Sequence, residues 1–271
     1  FWTINPVTRK TKTKKEKITV FKRGKMLVKI IPDREEMGLV AATDAAERII
    51  KMQGEKEELN MIFAAAPSQN EFIAHLITNK AIEWNRINAF HMDEYIGLAA
   101  DAPQRFGNFL KDRIFGKVPF KSVNYLDGLA KNLDEECKRY SELLEKHPVD
   151  IVCLGIGENG HIAFNDPGVA DFNDKKLVKV ADLDLMCRQQ QVNDKCFNLL
   201  DEVPKQALTL TIPALLRGKY LFCIVPAKNK AKAVYNTLNG EITEDCPASI
   251  LRTKENVTLY LDAASSALLE L

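Results

Sequence analysis

The sequence predicts a doubly wound α/β fold with a mostly parallel sheet and helices on both faces. Three observations predict it: short, nearly continuous apolar runs recur, helical patterns lie between them, and no linker or internal repeat interrupts the series. Strands covered on both faces have such continuous runs. Strand–helix–strand alternation is typical of parallel sheets with right-handed crossovers. The strand candidates are residues 60–66, 87–92, 150–157, 220–226 and 257–262.

Three helices are predicted from apolar periodicity and from the residues at their ends. Asp33 and Glu36 have the spacing of a capping box, and an apolar stripe then continues as far as Gly54. A second helix is predicted over about residues 133–146 and a third over about residues 229–238. The second and third helices each join two strand candidates, and the first precedes the candidate at residues 60–66.

The composition is that of a globular protein with a sizeable core, because 46% of the 271 residues are hydrophobic. Lys and Arg total 38 and Asp and Glu total 37, and this balance argues against a nucleic-acid partner. No apolar run approaches the roughly 18–20 residues that span a bilayer, so no membrane partner is expected. The six cysteines form no C-x-x-C pair and no zinc-type spacing. They indicate reduced thiols in a cytoplasmic protein without a metal site.

Two segments depart from the strand–helix alternation. Residues 1–20 contain a Lys/Arg-rich stretch and are predicted to form a basic tail, which leaves residues 21–271 as a single domain. Residues 168–200 are polar, poorly periodic and inserted between two strands. Long insertions of this kind are often lids or binding loops, and we predict a lid here.

Polar segments follow the strand candidates, and ligands of open parallel sheets bind beyond the carboxyl ends of the strands. Ser68 and Glu71 have capping-box spacing and predict a helix N-terminus, which can bind phosphate. The adjacent carboxylates Asp93 and Glu94 provide a general base if one of them faces a cleft. Lys230 lies at the start of a predicted helix and can hold a phosphate there. Each segment also has an ordinary interpretation as a helix cap, a surface turn or a solvated lysine.

The segment 155–168 gives the strongest indication of a functional site. Its glycines, Gly160 among them, let the backbone turn sharply and approach a ligand closely. His161 has Asn159 two residues before it and Asp166 five residues after it. Such partners can hold one tautomer of the ring and tune it as a proton shuttle. The segment lacks the spacing of a nucleotide-binding P-loop, so we predict a catalytic histidine instead.

With these residues in view, the chain resembles the glucosamine-6-phosphate deaminase/isomerase family. The matching motifs cover roughly residues 35–265 and are HMDEYIGL (91–98), GIGENGHIAFNDPG (155–168), VPKQALTLTIPALL (203–216) and NKAKAV (229–234). The resemblance implies a single α/β domain related to the Rossmann fold. It also implies conversion of an aldose 2-amino-6-phosphate, most simply glucosamine 6-phosphate, into fructose 6-phosphate and ammonia, with neither a metal nor an organic cofactor.

The resemblance also implies roles for the catalytic residues. Asp93 matches the base that moves the C2 proton during enolisation. His161 matches the residue that opens the pyranose ring, and Asn159 and Asp166 match the partners that position and polarise it. Asp166 stands where typical members have Glu, a side chain longer by one methylene. This departure bears on the exact substrate more than on the reaction type.

Further residues are expected to bind the substrate and its phosphate. Lys230 matches the cation that grips the phosphate, and Ser68 lies in the segment that matches the phosphate loop. That loop reads Ala-Ala-Pro-Ser-Gln, whereas typical members have a Thr/Ser-Gly-rich sequence. Gly160 is expected beside the substrate. The lid segment suggests Arg188 as a further phosphate ligand, with Lys195 as the second choice because an apparent insertion shifts the alignment.

Three alternatives to glucosamine-6-phosphate deamination stay open. A galactosamine-6-phosphate deaminase would use the same groups on the epimeric sugar. A 6-phosphogluconolactonase shares the fold and needs a base and a phosphate grip, but no enolisation. A sugar-phosphate-sensing regulator would need a DNA-binding module, for which residues 1–30 are too short. All of these take a small sugar phosphate as the partner, and a homo-oligomer is compatible with each.

Overall fold

The computed structural model describes residues 17–270 and consists of a large sheet, a small sheet and the helices around them. The strands in chain order are β1 (Thr19–Arg23), β2 (Met26–Ile31), β3 (Leu59–Phe63), β4 (Ile87–His91), β5 (Asp93–Tyr95), β6 (Ser122–Asn124), β7 (Ile151–Leu154), β8 (Val178–Asp182), β9 (Gln206–Leu210), β10 (Tyr220–Val225) and β11 (Val257–Asp262).

The helices also agree with the predicted alternation, and several short turns of helix supplement them. The α-helices are α1 (Arg34–Gln53), α2 (Asn70–Leu76), α3 (Phe106–Leu110), α4 (Leu133–Lys146), α5 (Leu185–Asn193), α6 (Ile212–Leu216) and α7 (Ala231–Asn239). Short 3₁₀ turns cover Pro67–Gln69, Trp84–Arg86, Leu200–Glu202, Lys228–Lys230 and Pro247–Thr253, and a π-helical turn covers Lys111–Phe115.

The large sheet has eight strands in the order β1-β2-β11-β10-β7-β3-β4-β6. Only β1 pairs antiparallel with its neighbour, and every other pairing in this sheet is parallel. The predicted mostly parallel sheet is therefore confirmed. The strand order reverses between β3 and β7, since β4 and β6 continue towards one edge and β10 and β11 towards the other. Ligands of such sheets bind at this switch point.

Alternate residues of the central strands enter two different apolar cores, which shows that the sheet is covered on both faces. Phe63 and Cys153 belong to the core that contains α1 and α2. Their chain neighbours Ile62 and Val152 belong to the core that contains buried residues of α4, α6 and α7. Strands buried on both faces need apolar side chains at successive positions, which explains the continuous runs in the sequence.

The predicted helix boundaries are largely confirmed. Asp33 caps α1 by accepting a hydrogen bond from the backbone N–H of Glu36 at 2.8 Å, and Gly54 follows the last helical residue. The second predicted helix coincides with α4. The third begins as the 3₁₀ turn Lys228–Lys230 and continues as α7. Local capping and periodicity therefore determine these elements.

Two predictions about the irregular segments need correction. The expected tail is too long, because Thr19 and Val20 already pair with β2; residues 1–16 lie outside the described residues. The insertion 168–200 is not irregular, because it contains β8 and α5. Strand β8 is the edge of a three-stranded antiparallel sheet of order β5-β9-β8, which the sequence analysis did not predict. Short, half-polar elements give little periodicity, and pairing with β9 decides their structure.

Within residues 17–270, no helix combines the length and the apolar composition that crossing a bilayer requires.

Candidate active site

A pocket lies at the switch point of the large sheet, beyond the carboxyl ends of β3, β4, β7 and β10. Residues of α5 form a further wall. The residues that line it are Arg34, Ala64, Ala65, Ala66, Pro67, Ser68, Met92, Asp93, Phe106, Gly155, Ile156, Gly157, His161, Ala163, Phe164, Gln190, Gln191, Asp194, Pro226, Ala227, Asn229 and Lys230. The pocket therefore brings together the four segments that the sequence singled out.

Asp93 and Glu94 are neighbours in β5 with different surroundings. Asp93 lines the pocket, is 6% exposed and forms no hydrogen bond or ion pair through its carboxylate within residues 17–270. Burial, and then the charge of Glu94, raise the pKa of Asp93 well above its usual value. The carboxylate of Glu94 instead accepts hydrogen bonds from the backbone N–H groups of Tyr95, Phe106 and Gly107 at 2.9–3.0 Å. Of these two carboxylates, Asp93 is the one placed to act as a base in the pocket.

The orientation of His161 in the pocket wall is fixed by two acceptors. Its Nδ1 lies 2.7 Å from Oδ1 of Asn159 and 3.0 Å from Oδ1 of Asp166. Because both are oxygens, Nδ1 carries the proton, and Nε2 of this pocket-lining ring keeps its lone pair. Nε2 makes no hydrogen bond to any residue in the range 17–270. The ring is 8% exposed and can accept a proton from a substrate hydroxyl.

The amide of Asn159 can take only one orientation in this relay. Its Oδ1 accepts from the backbone N–H of His161 at 3.0 Å, and its Nδ2 donates to Asp166 and to Asp184 at 3.2 and 3.1 Å. A flipped amide would set its NH₂ against an N–H and its oxygen against two carboxylates. Asn159 therefore presents an acceptor to the His161 ring.

Asp166 is completely buried behind His161, as the sequence analysis expects of its partner. Burial acts to raise the pKa of Asp166, but the hydrogen bond and charge of His161 and the hydrogen bond from Asn159 outweigh it, so this pKa lies below its usual value. The resulting carboxylate stabilises a positive charge on the imidazole ring when His161 takes up a proton.

Two glycines make room for this arrangement. A Cβ atom on Gly157 would lie 2.0 Å from Cε1 of His161, so the ring can occupy its place only beside a glycine. Gly160 has a φ of 86°, and a Cβ there would lie 2.9 Å from Sγ of Cys246. Gly160 does not line the pocket. The expectation that it approaches the substrate is therefore replaced by a role in the turn that carries His161.

Lys230 provides the buried cation of the pocket. It is 6% exposed, and burial lowers the pKa of its ammonium group. The charges of the nearby carboxylates of Asp194 and Glu158 act in the opposite direction and raise this pKa. No ion pair of Lys230 occurs among residues 17–270. Ala227, which precedes the turn Lys228–Lys230, has a φ of 83°, and its N–H donates to both carboxylate oxygens of Asp262 at 3.1 Å. Tertiary contacts thus hold the turn that delivers Lys230.

Ser68 lines the pocket but does not cap a helix as predicted. It lies within the 3₁₀ turn Pro67–Gln69, and its Oγ accepts from Nε2 of Gln69 at 3.0 Å. The pocket-lining residue Arg34 stabilises this turn, since its Nη2 donates to the carbonyl of Pro67 at 2.6 Å and its Nε to Glu71 at 2.8 Å. Arg34 is therefore a pocket residue for which the sequence predicts no role.

The structure does not bring Arg188 to the pocket. Its guanidinium donates to the carbonyl oxygens of Leu200 and Val203 at 2.8 and 3.0 Å, which ties α5 to the following turn. The second choice, Lys195, is also absent from the pocket wall. The physical reason is the orientation of α5, which turns a different face with Gln190 to the pocket.

A sequence model of the family described as "Glucosamine-6-phosphate isomerases/6-phosphogluconolactonase" matches residues 32–260. The chain belongs to this family. Glucosamine-6-phosphate deaminase of Oenococcus oeni is 37% identical over 193 residues, which cover 71% of this chain and 80% of that protein. The enzyme of the same name from Streptococcus agalactiae is 33% identical over 232 residues, which cover 86% of this chain and 95% of that protein.

Two solved structures of similar proteins extend this comparison. A monomeric glucosamine-6-phosphate deaminase superposes with a TM-score of 0.81 at 32% identity, covering 89% of this chain and 99% of that chain. The 6-phosphogluconolactonase of Thermotoga maritima has a TM-score of 0.72 at 20% identity and covers 88% and 100%, respectively. The second similarity shows the fold alone. The predicted family resemblance is therefore confirmed.

One cluster in this member of the glucosamine-6-phosphate isomerase/6-phosphogluconolactonase family has the composition of a metal site. Ligand atoms of His161, Asp166 and Cys187 lie within 4.8 Å of one another. Burial and the charges of Asp166 and Asp184 raise the pKa of the Cys187 thiol well above its usual value, whereas a metal ligand must be a thiolate. Nδ1 of His161 already has two hydrogen-bond acceptors. These residues therefore favour a hydrogen-bonded cluster over a metal centre.

Proposed function

We propose that this protein is an amino-sugar-phosphate deaminase that converts glucosamine 6-phosphate and water into fructose 6-phosphate and ammonia. The observation that carries the proposal is that one pocket holds both a histidine relay and the buried carboxylate of Asp93, which has no partner among residues 17–270. A carbon acid requires a strong, desolvated base, and ring opening requires a group that moves a proton between two oxygens. The name shared by the most similar relatives supports this reading.

Ring opening is the first task of the proposed mechanism. Nε2 of His161 accepts the proton of the anomeric hydroxyl while Nδ1 stays hydrogen-bonded to Asn159 and Asp166. The imidazolium then donates its Nε2 proton to the ring oxygen, so the C1–O5 bond breaks and the C1 aldehyde forms. The Asp166 carboxylate stabilises the cation between these two transfers.

Isomerisation and deamination follow at C1 and C2. The Asp93 carboxylate removes the C2 proton, and O1 takes up a proton that the C2 ammonium group of the substrate releases, which gives an enolamine. Returning the proton to C1 produces an iminium ion at C2. Water adds to that carbon and ammonia leaves, so the products are the ketose phosphate and ammonia. The raised pKa of Asp93 suits this step, because a more basic carboxylate removes a carbon-bound proton more readily.

We assign the phosphate to the end of the pocket formed by Ser68, Lys230 and Arg34. Lys230 is a buried cation without an ion pair among residues 17–270, and a phosphate dianion would supply the missing counter-charge. The hydroxyl of Ser68 can donate to a phosphate oxygen. Arg34 replaces Arg188 in this assignment, because it lies in the pocket wall with its guanidinium beside the Pro67 carbonyl.

We also propose that residues 17–270 form one domain in which α5 acts as part of a lid, since Gln190, Gln191 and Asp194 of this segment line the pocket. We further propose a cytoplasmic location and a role in N-acetylglucosamine catabolism. The first is supported by the cysteines, all six of which are free thiols.

6-Phosphogluconolactonase activity is the second candidate, because the family description includes it. Lactone hydrolysis removes no carbon-bound proton, so it does not require a carboxylate that burial has made more basic, such as Asp93. The epimer galactosamine 6-phosphate would make use of every group described.

A substrate panel tests the proposal. The protein is incubated with glucosamine 6-phosphate, galactosamine 6-phosphate or 6-phosphogluconolactone, and ammonia, ketose phosphate and acid release are measured, with His161→Ala as the control. We expect ammonia and fructose 6-phosphate from glucosamine 6-phosphate. Absence of ammonia above the control with both amino sugars would rule out the deaminase, and lactone opening alone would establish the second candidate.

A further inference from the structure

Asp184 belongs to two structures at once, the N-terminus of α5 and the hydrogen bonds around His161. Its Oδ1 caps α5 by accepting from the backbone N–H of Cys187 at 2.5 Å. Its Oδ2 accepts from Nδ2 of Asn159 at 3.1 Å. Its own backbone N–H points to Oδ2 of Asp166 at 3.4 Å. One carboxylate therefore joins the pocket-lining helix to the partners of His161.

The Asn159 amide depends on both of its acceptors. One Nδ2 proton goes to Asp166 and the other to Asp184, and these two carboxylates, together with the backbone N–H of His161, keep the amide oxygen on the His161 ring. If Asp184 is lost as an acceptor, a single carboxylate holds the NH₂ group and the amide can rotate away from the ring. The proton on Nδ1 then loses one of its two acceptors, and the imidazole ring loses its fixed orientation.

The same helix forms the wall of the pocket. Gln190 lies six residues after Asp184, and its Oε1 accepts from the backbone N–H of Glu158 at 2.8 Å. Gln190, Gln191 and Asp194 line the pocket. The position of α5 is thus connected to the 158–166 loop at its N-terminus by Asp184 and in its middle by Gln190.

We propose that Asp184 is a positioning residue, which orients the Asn159 amide. Through this contact, the proton relay of His161 depends on the position of α5. The inference rests on the proposed function, since it assigns a catalytic consequence to this contact. Capping alone does not account for the geometry. Among residues 17–270, the side chain of Asn132, which caps α4, accepts from Asp134 and Glu135 of its own helix, whereas Asp184 uses its second oxygen outside α5.

The test separates capping from positioning with Asp184→Asn. Asparagine caps helices about as well as aspartate, so the melting temperature should stay within about 2 °C of wild type. Its NH₂ group would face the NH₂ of Asn159, two donors without an acceptor. We expect kcat to fall about tenfold and KM to change less than about twofold, because orientation rather than binding is lost. The control Asn132→Ala should lower the melting temperature and leave kcat unchanged.

A double variant establishes that Asp184 acts through Asn159. If it does, Asn159→Ala combined with Asp184→Asn should have the kcat of Asn159→Ala alone, whereas independent effects would multiply. The side-chain NH₂ resonances of Asn159, identified by their loss in Asn159→Ala, should shift in Asp184→Asn and stay in place in Asn132→Ala.

The outcomes keep this inference distinct from the proposed function. Wild-type protein without deaminase activity defeats the proposed function, and the NMR comparison still decides whether Asp184 orients Asn159. An active wild type with unchanged kcat in Asp184→Asn, multiplicative loss in the double variant, or unmoved Asn159 resonances would each overturn the positioning role.

Discussion

The backbone N–H of Ala227 lies 3.1 Å from each carboxylate oxygen of Asp262, and this contact holds an alanine at φ 83° and ψ 149°. That region of backbone space suits glycine and costs an L-residue about 1–3 kcal/mol. Asp262 also accepts from the N–H of Ser265 at 2.7 Å, so its position does not depend on Ala227. The strained residue begins the turn that carries Lys230 into the pocket.

Replacing Ala227 with glycine should therefore stabilise the protein. The free energy gained by relieving the strained backbone exceeds the free-energy cost of the extra conformational entropy that glycine gives the unfolded chain. We therefore expect the free energy of unfolding to rise by about 1 kcal/mol. Chemical denaturation measures it. Ala81→Gly, at an exposed position outside the positive-φ region, is the matched control and should lower stability slightly. A loss of stability in both variants would contradict the prediction that the backbone at Ala227 is strained.

Asp93→Asn should abolish exchange of the C2 proton of the sugar with solvent and leave binding nearly intact. Asparagine keeps the shape of the side chain but cannot accept a proton from carbon. Exchange is followed by NMR in deuterated buffer, and binding by calorimetry. Asp101→Asn, an exposed position in the segment after β5, is the control. Continued exchange in Asp93→Asn would mean that another group is the base.

The same substitution should stabilise the protein at neutral pH. Burial raises the pKa of Asp93 in the folded state, whereas the unfolded chain releases this proton near pH 3.9, as an ordinary aspartate does. Folding therefore favours protonated Asp93, and stability falls as the pH rises above about 3.9 towards the folded-state pKa. Asparagine mimics the protonated form.

We accordingly expect Asp93→Asn to raise the free energy of unfolding by about 0.5–2 kcal/mol at pH 7, within the usual range for a stabilising substitution. The gain should shrink at pH 4, where the unfolded state also binds this proton. Urea denaturation at the two pH values measures the difference. A gain of equal size at both would show that desolvation of a charge is not its cause.

Lys230→Ala should raise KM for the sugar phosphate roughly ten- to a hundredfold, since a charge-assisted hydrogen bond contributes about 1.5–3 kcal/mol. The effect on kcat should be smaller, because the phosphate lies away from the reacting carbons. Lys232→Ala removes an exposed cation two residues later and serves as the control. Steady-state kinetics measure KM for both variants. A wild-type KM in Lys230→Ala would show that Lys230 does not bind the phosphate.

Arg34→Ala should raise KM as well, by a smaller factor, whereas Arg188→Ala should lower the melting temperature. Arg34 contributes to the pocket wall and supports the Ser68 turn, but Arg188 binds the carbonyls of Leu200 and Val203. Kinetics and thermal unfolding of the two variants compare these roles. A KM effect confined to Arg188→Ala would restore the interpretation based on the resemblance.

Local signals in the chain predicted most of the main sheet and the segments at its carboxyl edge. The strands β3, β4, β7, β10 and β11 are buried on both faces, so their runs of apolar residues are visible without a structure. By contrast, α5 turns the polar residues Gln190 and Gln191 towards the pocket, and Asp194 directly after the helix also lines it. A helix whose functional face is polar carries no apolar stripe, and for this reason the sequence predicts no regular element over residues 168–200.

By itself, the sequence determined the parallel sheet, the four segments at its switch point and the histidine between Asn159 and Asp166. Tertiary structure alone decided that backbone N–H groups hold the Glu94 carboxylate, that Arg34 rather than Arg188 reaches the pocket, and that Asp184 and Asp262 support the site. Periodicity and capping act over a few residues, whereas these choices depend on the orientation of whole elements. That orientation is fixed by contacts between residues far apart in the chain.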